Sequence, residues 1–135
     1  MEQNDIVIVA AKRTPMGAML GNLSTLSAPE LGAIAHQAAL SQAGIHPEEI
    51  NEVISGCVLQ AGIGQAPARQ AALKAGIPNS TGATTINKMC GSGMKAIMLA
   101  HDLIQAGTAD IILASGMESM SNAPYLLSKA RSGYR

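Results

Sequence analysis

The sequence predicts an α/β protein with a mostly parallel sheet, in the element order βαβαβαβ. Short runs of apolar and β-branched residues alternate with longer segments that carry helix start and stop signals. The first of these runs, at residues 5–11, lacks polar alternation, which is typical of a strand covered on both faces. Strands that alternate with helices in this way form parallel sheets with right-handed crossovers.

After this first strand, a helix is predicted to begin at Ser27 and to end at Gly44. Ser27 and Glu30 have the spacing of a capping box, and Pro29 stands in the first turn, where proline suits a helix. Gly44 is the expected end because glycine readily adopts the left-handed conformation that closes a helix. The apolar stripe predicted to face the core consists of Leu31, Ile34, Ala35 and Ala38.

The rest of the chain predicts three more strands and two more helices. The strands are expected at 52–59, 84–89 and 109–114, and the helices are expected from the loop at 62–67 to about residue 76, and at 93–106. The last helix carries apolar residues around almost its whole circumference, so we predict that it is buried on more than one side. One open sheet covers only one side, and these residues supply no second layer.

Composition narrows the class of protein. The chain has 135 residues, of which 47% are hydrophobic and 13% charged, as expected for one globular domain. Nine basic residues balance nine acidic ones without a basic run, so we expect no nucleic-acid partner. The apolar run near the amino terminus is too short for a signal peptide or a membrane span, which favours a cytoplasmic protein without a membrane partner.

Cys90 is the leading candidate for a catalytic residue. It stands where a β-branched run gives way to a helical pattern, and Gly91 and Gly93 follow it. Unpaired N–H groups and the helix dipole stabilise a thiolate at such a position, where cysteine pKa values fall to roughly 3.5–7.5. The N–H of Cys90 itself would also suit an oxyanion. The alternative is a buried core cysteine, since free cysteines are often buried.

Other candidate residues have simpler interpretations. Cys57 lies in an apolar strand and is predicted to be a core residue. His36, His46 and His101 lack metal-ligand spacing, so each is interpreted as a surface or helix-packing residue, and no metal site is predicted. The Gly-x-Gly at residues 62–64 has no third glycine in the position required for a dinucleotide site.

Four blocks of sequence occur in order: Arg-Thr-Pro-Met-Gly at 13–17, Gly-Gln-Ala-Pro-Ala-Arg-Gln-Ala at 64–71, Ile-Asn-Lys-Met-Cys-Gly-Ser-Gly-Met-Lys-Ala at 86–96, and Gly-Met-Glu-Ser-Met-Ser-Asn-Ala-Pro-Tyr at 116–125. Through them the chain resembles the thiolase family, and within it the acetyl-CoA acetyltransferases. The resemblance implies the N-terminal half of the thiolase fold, with residues 1–120 in the core half and 121–135 beginning a loop domain.

The resemblance also implies a reaction. Cys90 would take the acetyl group of acetyl-CoA and pass it to a second acetyl-CoA, giving acetoacetyl-CoA and CoA in a reversible Claisen condensation. The coenzyme A thioesters are substrates, and no cofactor is implied. Thiolases are dimers or tetramers, so a homo-oligomer is expected.

The chain also departs from the family pattern. Thiolases continue into a second half that supplies a Gly-His-Pro histidine and a Cys-x-Gly cysteine, and neither motif occurs here. The 135-residue chain alone is therefore expected to be inactive. A smaller departure is Ser115, which replaces the glycine usual before Gly116.

Three alternatives remain open. A thiolase that prefers longer 3-ketoacyl chains would share Cys90. Ketoacyl synthases and hydroxymethylglutaryl-CoA synthases also place a cysteine at a helix start, although the blocks at 87–93 and 118–121 fit thiolases better. The chain could also be a non-catalytic oligomerisation module that pairs with a complementary chain.

Overall fold

Three parallel strands form one open sheet with three α-helices around it, in a computed structural model that describes residues 5–134. The α/β class and the parallel pairing confirm the prediction. The spatial order of the strands is β2-β1-β3. In chain order the elements are α1 (Ala28–Ala43), β1 (Glu52–Gly56), α2 (Pro67–Lys74), β2 (Gly82–Ile86), α3 (Ser92–Gln105) and β3 (Ile112–Gly116), with short 3-10 helices at Pro47–Glu49, Met120–Asn122 and Ala130–Ser132.

The register brings the carboxyl ends of all three strands to one edge of the sheet. Gly56 at the end of β1 is paired with Ile86 of β2 and Gly116 of β3. α1 and α2 pack against each other and against the sheet, while α3 packs on β1 and β3. Because the strands are parallel, the loops that follow them meet at this edge, where ligand sites of open α/β sheets are found.

The predicted limits of α1 are confirmed. The N–H of Ser27 donates to Glu30 Oε2 at 2.8 Å, and the Ser27 hydroxyl donates to the same oxygen at 2.7 Å. These bonds from Ser27, the backbone one above all, lower the pKa of the Glu30 carboxyl. Gly44 closes the helix in the left-handed conformation, with φ of 66°.

The predicted apolar stripe of α1 is not its most buried side: Leu31, Ala35 and Ala38 are only half-buried. Ile34 is exposed, whereas the buried side contains Gly32, Ala33, His36 and Leu40. The reason is close packing of small residues: a Cβ on Gly32 would stand 2.8 Å from the sulfur of Met117 and 3.3 Å from the Cβ of Ala71 in α2. A count of large apolar residues cannot reveal a contact made by residues with little or no side chain.

The predicted first strand, at residues 5–11, is also wrong. In the described part of the chain this segment belongs to no strand, and Val7, Ile8 and Val9 are 63–74% exposed. A strand requires a neighbour to pair its N–H and C=O groups, and within residues 5–134 the sheet consists of three strands that do not pair with this segment. The observed order is therefore αβαβαβ.

α3 is buried on one side only. Ser92, Ala96 and Ala100 are buried, whereas Met94 and Met98 are more than half exposed. The prediction that α3 is also buried on its other side required a second layer that these residues do not supply, so it stays a prediction. The apolar face that would contact the expected second layer is present and open to solvent.

Candidate active site

Cys90 lies in the short loop between β2 and α3, at the carboxyl edge of the sheet. Its side chain is exposed, and α3 begins two residues later with Gly91 as its N-cap. The predicted position of Cys90 at a strand-to-helix junction is therefore confirmed. The residue before it, Met89, has φ of 50°, in the left-handed region, so the chain turns sharply immediately before the thiol.

Ser92 holds this loop in place from the first turn of α3. Its hydroxyl donates to the carbonyl of Met89 at 2.6 Å and accepts the N–H of Lys88 at 2.8 Å. A further bond joins the N–H of Met89 to Asn87 Oδ1 at 2.9 Å. Ser92 is itself buried, so the loop around Cys90 is tied to the core.

The first turn of α3 rests directly on the backbone of the sheet. Gly93 packs on Gly116 so closely that a Cβ on Gly116 would stand 3.1 Å from the Gly93 Cα. Gly56, the partner of Gly116 in the sheet, makes an even closer approach to Ser92. Glycine at the strand ends is therefore what allows the helix, and the Cys90 loop ahead of it, to approach this edge.

An open cavity of about 890 Å³ lies beside Cys90, a volume in the range of small-molecule sites. Its walls come from the loop after residue 11, one side of α1, the loops that follow β1 and β3, and the amino end of α3. The charged or titratable side chains in its lining are Lys12, Arg13, Cys57, Cys90 and Glu118. Within residues 5–134, no histidine lines this cavity.

Cys57 is a core residue, as predicted. It is 1% exposed, and its thiol donates to Glu118 Oε1 at 3.6 Å. Burial, with a smaller contribution from the Glu118 charge, raises the pKa of the Cys57 thiol to about 12. The same carboxylate accepts the N–H groups of Val58 at 3.0 Å and Leu59 at 2.9 Å. Glu118 therefore holds the loop after β1, and Cys57 is protonated at neutral pH.

The histidines differ from one another more than the sequence indicated. His46 and His101 are exposed, whereas His36 is 1% exposed and its Nε2 is hydrogen-bonded to Ser115 Oγ at 2.8 Å. Burial lowers the pKa of His36 to about 4, so the ring is neutral at pH 7. The contact was missed because Ser115 is distant in sequence; the position of His36 one turn before Leu40 is the only sequence signal for its burial.

Between residues 5 and 134, no group of three or more His, Cys, Asp and Glu side chains is arranged to hold a metal ion. In the same range, no helix has the length and apolar character needed to cross a membrane.

Comparison with known proteins gives consistent results. The model of the thiolase N-terminal domain matches residues 6–135. An acetyl-CoA acetyltransferase of Cupriavidus necator is 56% identical over 131 residues, which cover 97% of this chain and 33% of that protein. The mitochondrial acetyl-CoA acetyltransferase of Homo sapiens is 55% identical over 130 residues, covering 96% of this chain and 30% of that protein.

A third relative, acetyl-CoA acetyltransferase 2 of Arabidopsis thaliana, is 56% identical over 131 residues, which cover 97% of this chain and 32% of that protein. The chain thus spans about one third of the length of these curated relatives and matches their N-terminal part. With a family match over nearly all of its residues, and with a parallel α/β sheet consistent with that domain, the chain belongs to the thiolase family.

Proposed function

We propose that the complete product of the gene encoding this chain is an acetyl-CoA acetyltransferase that uses Cys90 as its nucleophile. The observation that carries the proposal is the position of Cys90, exposed beside a cavity and just ahead of the first turn of α3. Its relatives named acetyl-CoA acetyltransferase support acetyl-CoA as the substrate.

The proposed reaction has two halves. In the first, the Cys90 thiolate attacks the carbonyl carbon of acetyl-CoA, the bond from that carbon to the CoA sulfur breaks, and CoA leaves after taking a proton. In the second, a base removes a proton from the methyl group of another acetyl-CoA, and the resulting carbanion attacks acetyl-Cys90. Acetoacetyl-CoA forms and the Cys90 thiolate is released. Covalent catalysis divides one difficult step into two easier ones.

The N–H of Cys90 is the proposed donor to the oxyanion of each tetrahedral intermediate, a role for which fixed backbone donors are well suited. No electrons are transferred overall, so the proposed reaction requires no redox cofactor, and we propose that no metal takes part.

The base for the second half of the reaction must come from outside the residues that line this cavity. The titratable acids there are Cys57, whose thiol is protonated, and Glu118, which is engaged by the N–H groups of Val58 and Leu59. We therefore propose that the 135-residue chain by itself does not turn over. The exposed apolar face of α3 supports the view that it acts together with further polypeptide.

Association into a homo-oligomer and a cytoplasmic location are also proposed. Both rest on family resemblance and composition. Several relatives are named as mitochondrial proteins, so the location is best tested directly.

The test of the nucleophile uses the complete gene product. After incubation with acetyl-CoA and an acid quench, peptide mass spectrometry should find one acetyl group on Cys90. Cys90→Ser should abolish thiolysis of acetoacetyl-CoA by CoA, whereas the matched Cys57→Ser variant should retain acetylation at Cys90. Thiolysis at the wild-type rate by Cys90→Ser would contradict the proposal.

A second assay addresses the isolated chain. Residues 1–135, expressed alone, should give no thiolysis above the rate of a Cys90→Ser control. Turnover comparable with that of the complete product would show that the base lies within these residues and would overturn this part of the proposal.

A further inference from the structure

Three polar side chains from three elements form one hydrogen-bonded chain on the α1 side of the sheet. Ser115 Oγ, on β3, lies 2.8 Å from His36 Nε2 on α1 and 2.7 Å from Ser55 Oγ on β1. Ser55 and His36 are 0% and 1% exposed. We call this set the Ser115 cluster. Ser115 itself is half-buried and lines the cavity beside Cys90. A buried polar group such as His36 or Ser55 is tolerated only with its partners in place.

The Ser115 hydroxyl is the shared atom of the cluster. Within residues 5–134, His36 Nδ1 has no hydrogen-bond partner, so Nε2 is the only ring nitrogen that ties α1 to the sheet. The bond between Ser55 and Ser115 joins two residues that are also paired in the strand register. Removal of the Ser115 hydroxyl would therefore leave both His36 and Ser55 without these bonds.

The opposite face of the same two strands supports the Cys90 loop. Side chains alternate along a strand, so the residues that follow the two serines, Gly56 and Gly116, face α3. They contact Ser92 and Gly93 with no side chain between. Ser92 in turn binds the backbone on both sides of the left-handed turn just before Cys90. The cluster and the thiol are thus linked through one pair of strand ends.

We propose that Ser115 is a positioning residue for Cys90: with His36 and Ser55 it sets the spacing of the ends of β1 and β3, on which the first turn of α3 rests. This inference rests on the proposed role of Cys90. A misplacement of about 1 Å at a reacting atom can reduce a rate about 100-fold, so a small change in strand spacing is sufficient to matter.

The experiment compares two hydrogen-bonded hydroxyl groups at opposite ends of the sheet, the half-buried one of Ser115 and the buried one of Thr81. Ser115→Ala removes the shared hydroxyl near Cys90. Thr81→Ala is the control, because the Thr81 hydroxyl is likewise hydrogen-bonded within the protein: it donates to the carbonyl of Ile50 at 3.2 Å, next to the amino ends of the strands. Both variants are made in the complete gene product, and Tm is measured for each.

Two readouts separate positioning from general stability. The first is the rate at which iodoacetamide alkylates Cys90, followed by peptide mass spectrometry between pH 6 and 9. The second is the split between kcat and KM in thiolysis. Ser115→Ala should lower the alkylation rate and kcat about ten-fold and change KM less than kcat, since the thiol is displaced. Because Ser115 also lines the cavity, a change confined to KM would indicate a substrate contact and would contradict the proposal. Thr81→Ala should lower Tm but change neither readout.

Wild-type alkylation and kcat in a folded Ser115→Ala variant would overturn the proposal, and so would an equal loss in Thr81→Ala. If Ser115→Ala does not fold, Ser55→Ala takes its place, because it removes only one hydrogen bond of the cluster. Ser55→Ala must then slow the alkylation of Cys90 more than Thr81→Ala does, or the proposal is overturned. Alkylation reports the position of Cys90 whatever reaction the protein catalyses. Failure of the proposed function would instead appear as thiolysis by Cys90→Ser.

Discussion

Gly56 lies so close to Ser92 that a Cβ on Gly56 would stand 2.5 Å from the Ser92 Cβ. Real side-chain atoms do not approach that closely, so β1 and the first turn of α3 can pack here only because residue 56 is glycine. Two further distances show the same close packing of β1 against α3: the Cβ would stand 2.6 Å from the Ser92 carbonyl carbon and 2.8 Å from the Gly93 nitrogen.

Gly56→Ala is therefore expected to displace the first turn of α3. Overpacking of this kind costs about 1–3 kcal/mol of stability and should reduce the proposed activity of Cys90. The matched control is Gly82→Ala on β2, where the added methyl meets only the end of the flexible Glu52 side chain, which can move. Tm and thiolysis by the complete gene product are the measurements, and equal losses in the two variants would contradict this interpretation.

The two cysteines should react with thiol reagents at very different rates. Cys90 is exposed, whereas Cys57 is 1% exposed and burial raises the pKa of its thiol to about 12. In native protein, iodoacetamide at pH 8 should label Cys90 and leave Cys57 unmodified until denaturant is added. Peptide mass spectrometry identifies the site, with Cys90→Ser and Cys57→Ser as reciprocal controls. Native labelling of Cys57 as fast as that of Cys90 would be inconsistent with the structure.

Acid should destabilise the protein through His36. Burial lowers its pKa from 6.5 to about 4, so between these values the unfolded state binds more protons than the folded state. Stability is fully present above pH 6.5 and falls as pH drops toward 4, by up to about 3 kcal/mol.

The slope of stability against pH in this window tests the prediction about His36. His36→Leu should reduce the slope, even though it also lowers stability at pH 7 by removing the bond to Ser115. Variant His101→Gln, at an exposed position, should keep the wild-type slope. Chemical denaturation at pH 7, 6, 5 and 4.5 provides the measurement; the same slope in His36→Leu and the wild type would exclude His36 as the cause.

Glu118 should stabilise the loop after β1 through its carboxylate. Glu118→Ala leaves the N–H groups of Val58 and Leu59 without their acceptor and should cost about 1.5–3 kcal/mol, as expected for bonds to a charged group. Glu118→Gln retains one oxygen and should cost less.

The same pair of Glu118 variants tests the contact with Cys57. Loss of the negative charge lowers the pKa of the Cys57 thiol, although burial keeps it above its ordinary value. Chemical denaturation measures the cost, and the ultraviolet absorbance of the thiolate in the folded protein, followed against pH with Cys57→Ser as the blank, measures the pKa change. A larger cost for Gln than for Ala would contradict the assigned hydrogen bonds.

The candidate site was predicted better than the sheet that supports it. Cys90 was placed at a strand-to-helix junction from a β-branched run and two glycines, which are local signals, and the structure has it there. Ser92, Gly56 and Gly116 were not recognised as its supports, because the contacts that join the helix start to the strand ends, and the strand ends to each other, link residues 23 to 60 positions apart in the chain.

By itself the sequence determined the limits of α1, the alternation of helices and parallel strands, the burial of Cys57 and the position of Cys90. Each follows from capping, β-branching or glycine conformation within a few neighbouring residues. Only the tertiary structure decided that residues 5–11 form no strand, that α1 turns Gly32 and His36 inward, and that Ser115 joins α1 to β1. A strand, a close helix contact or a buried hydrogen bond exists only when a distant part of the chain supplies its partner.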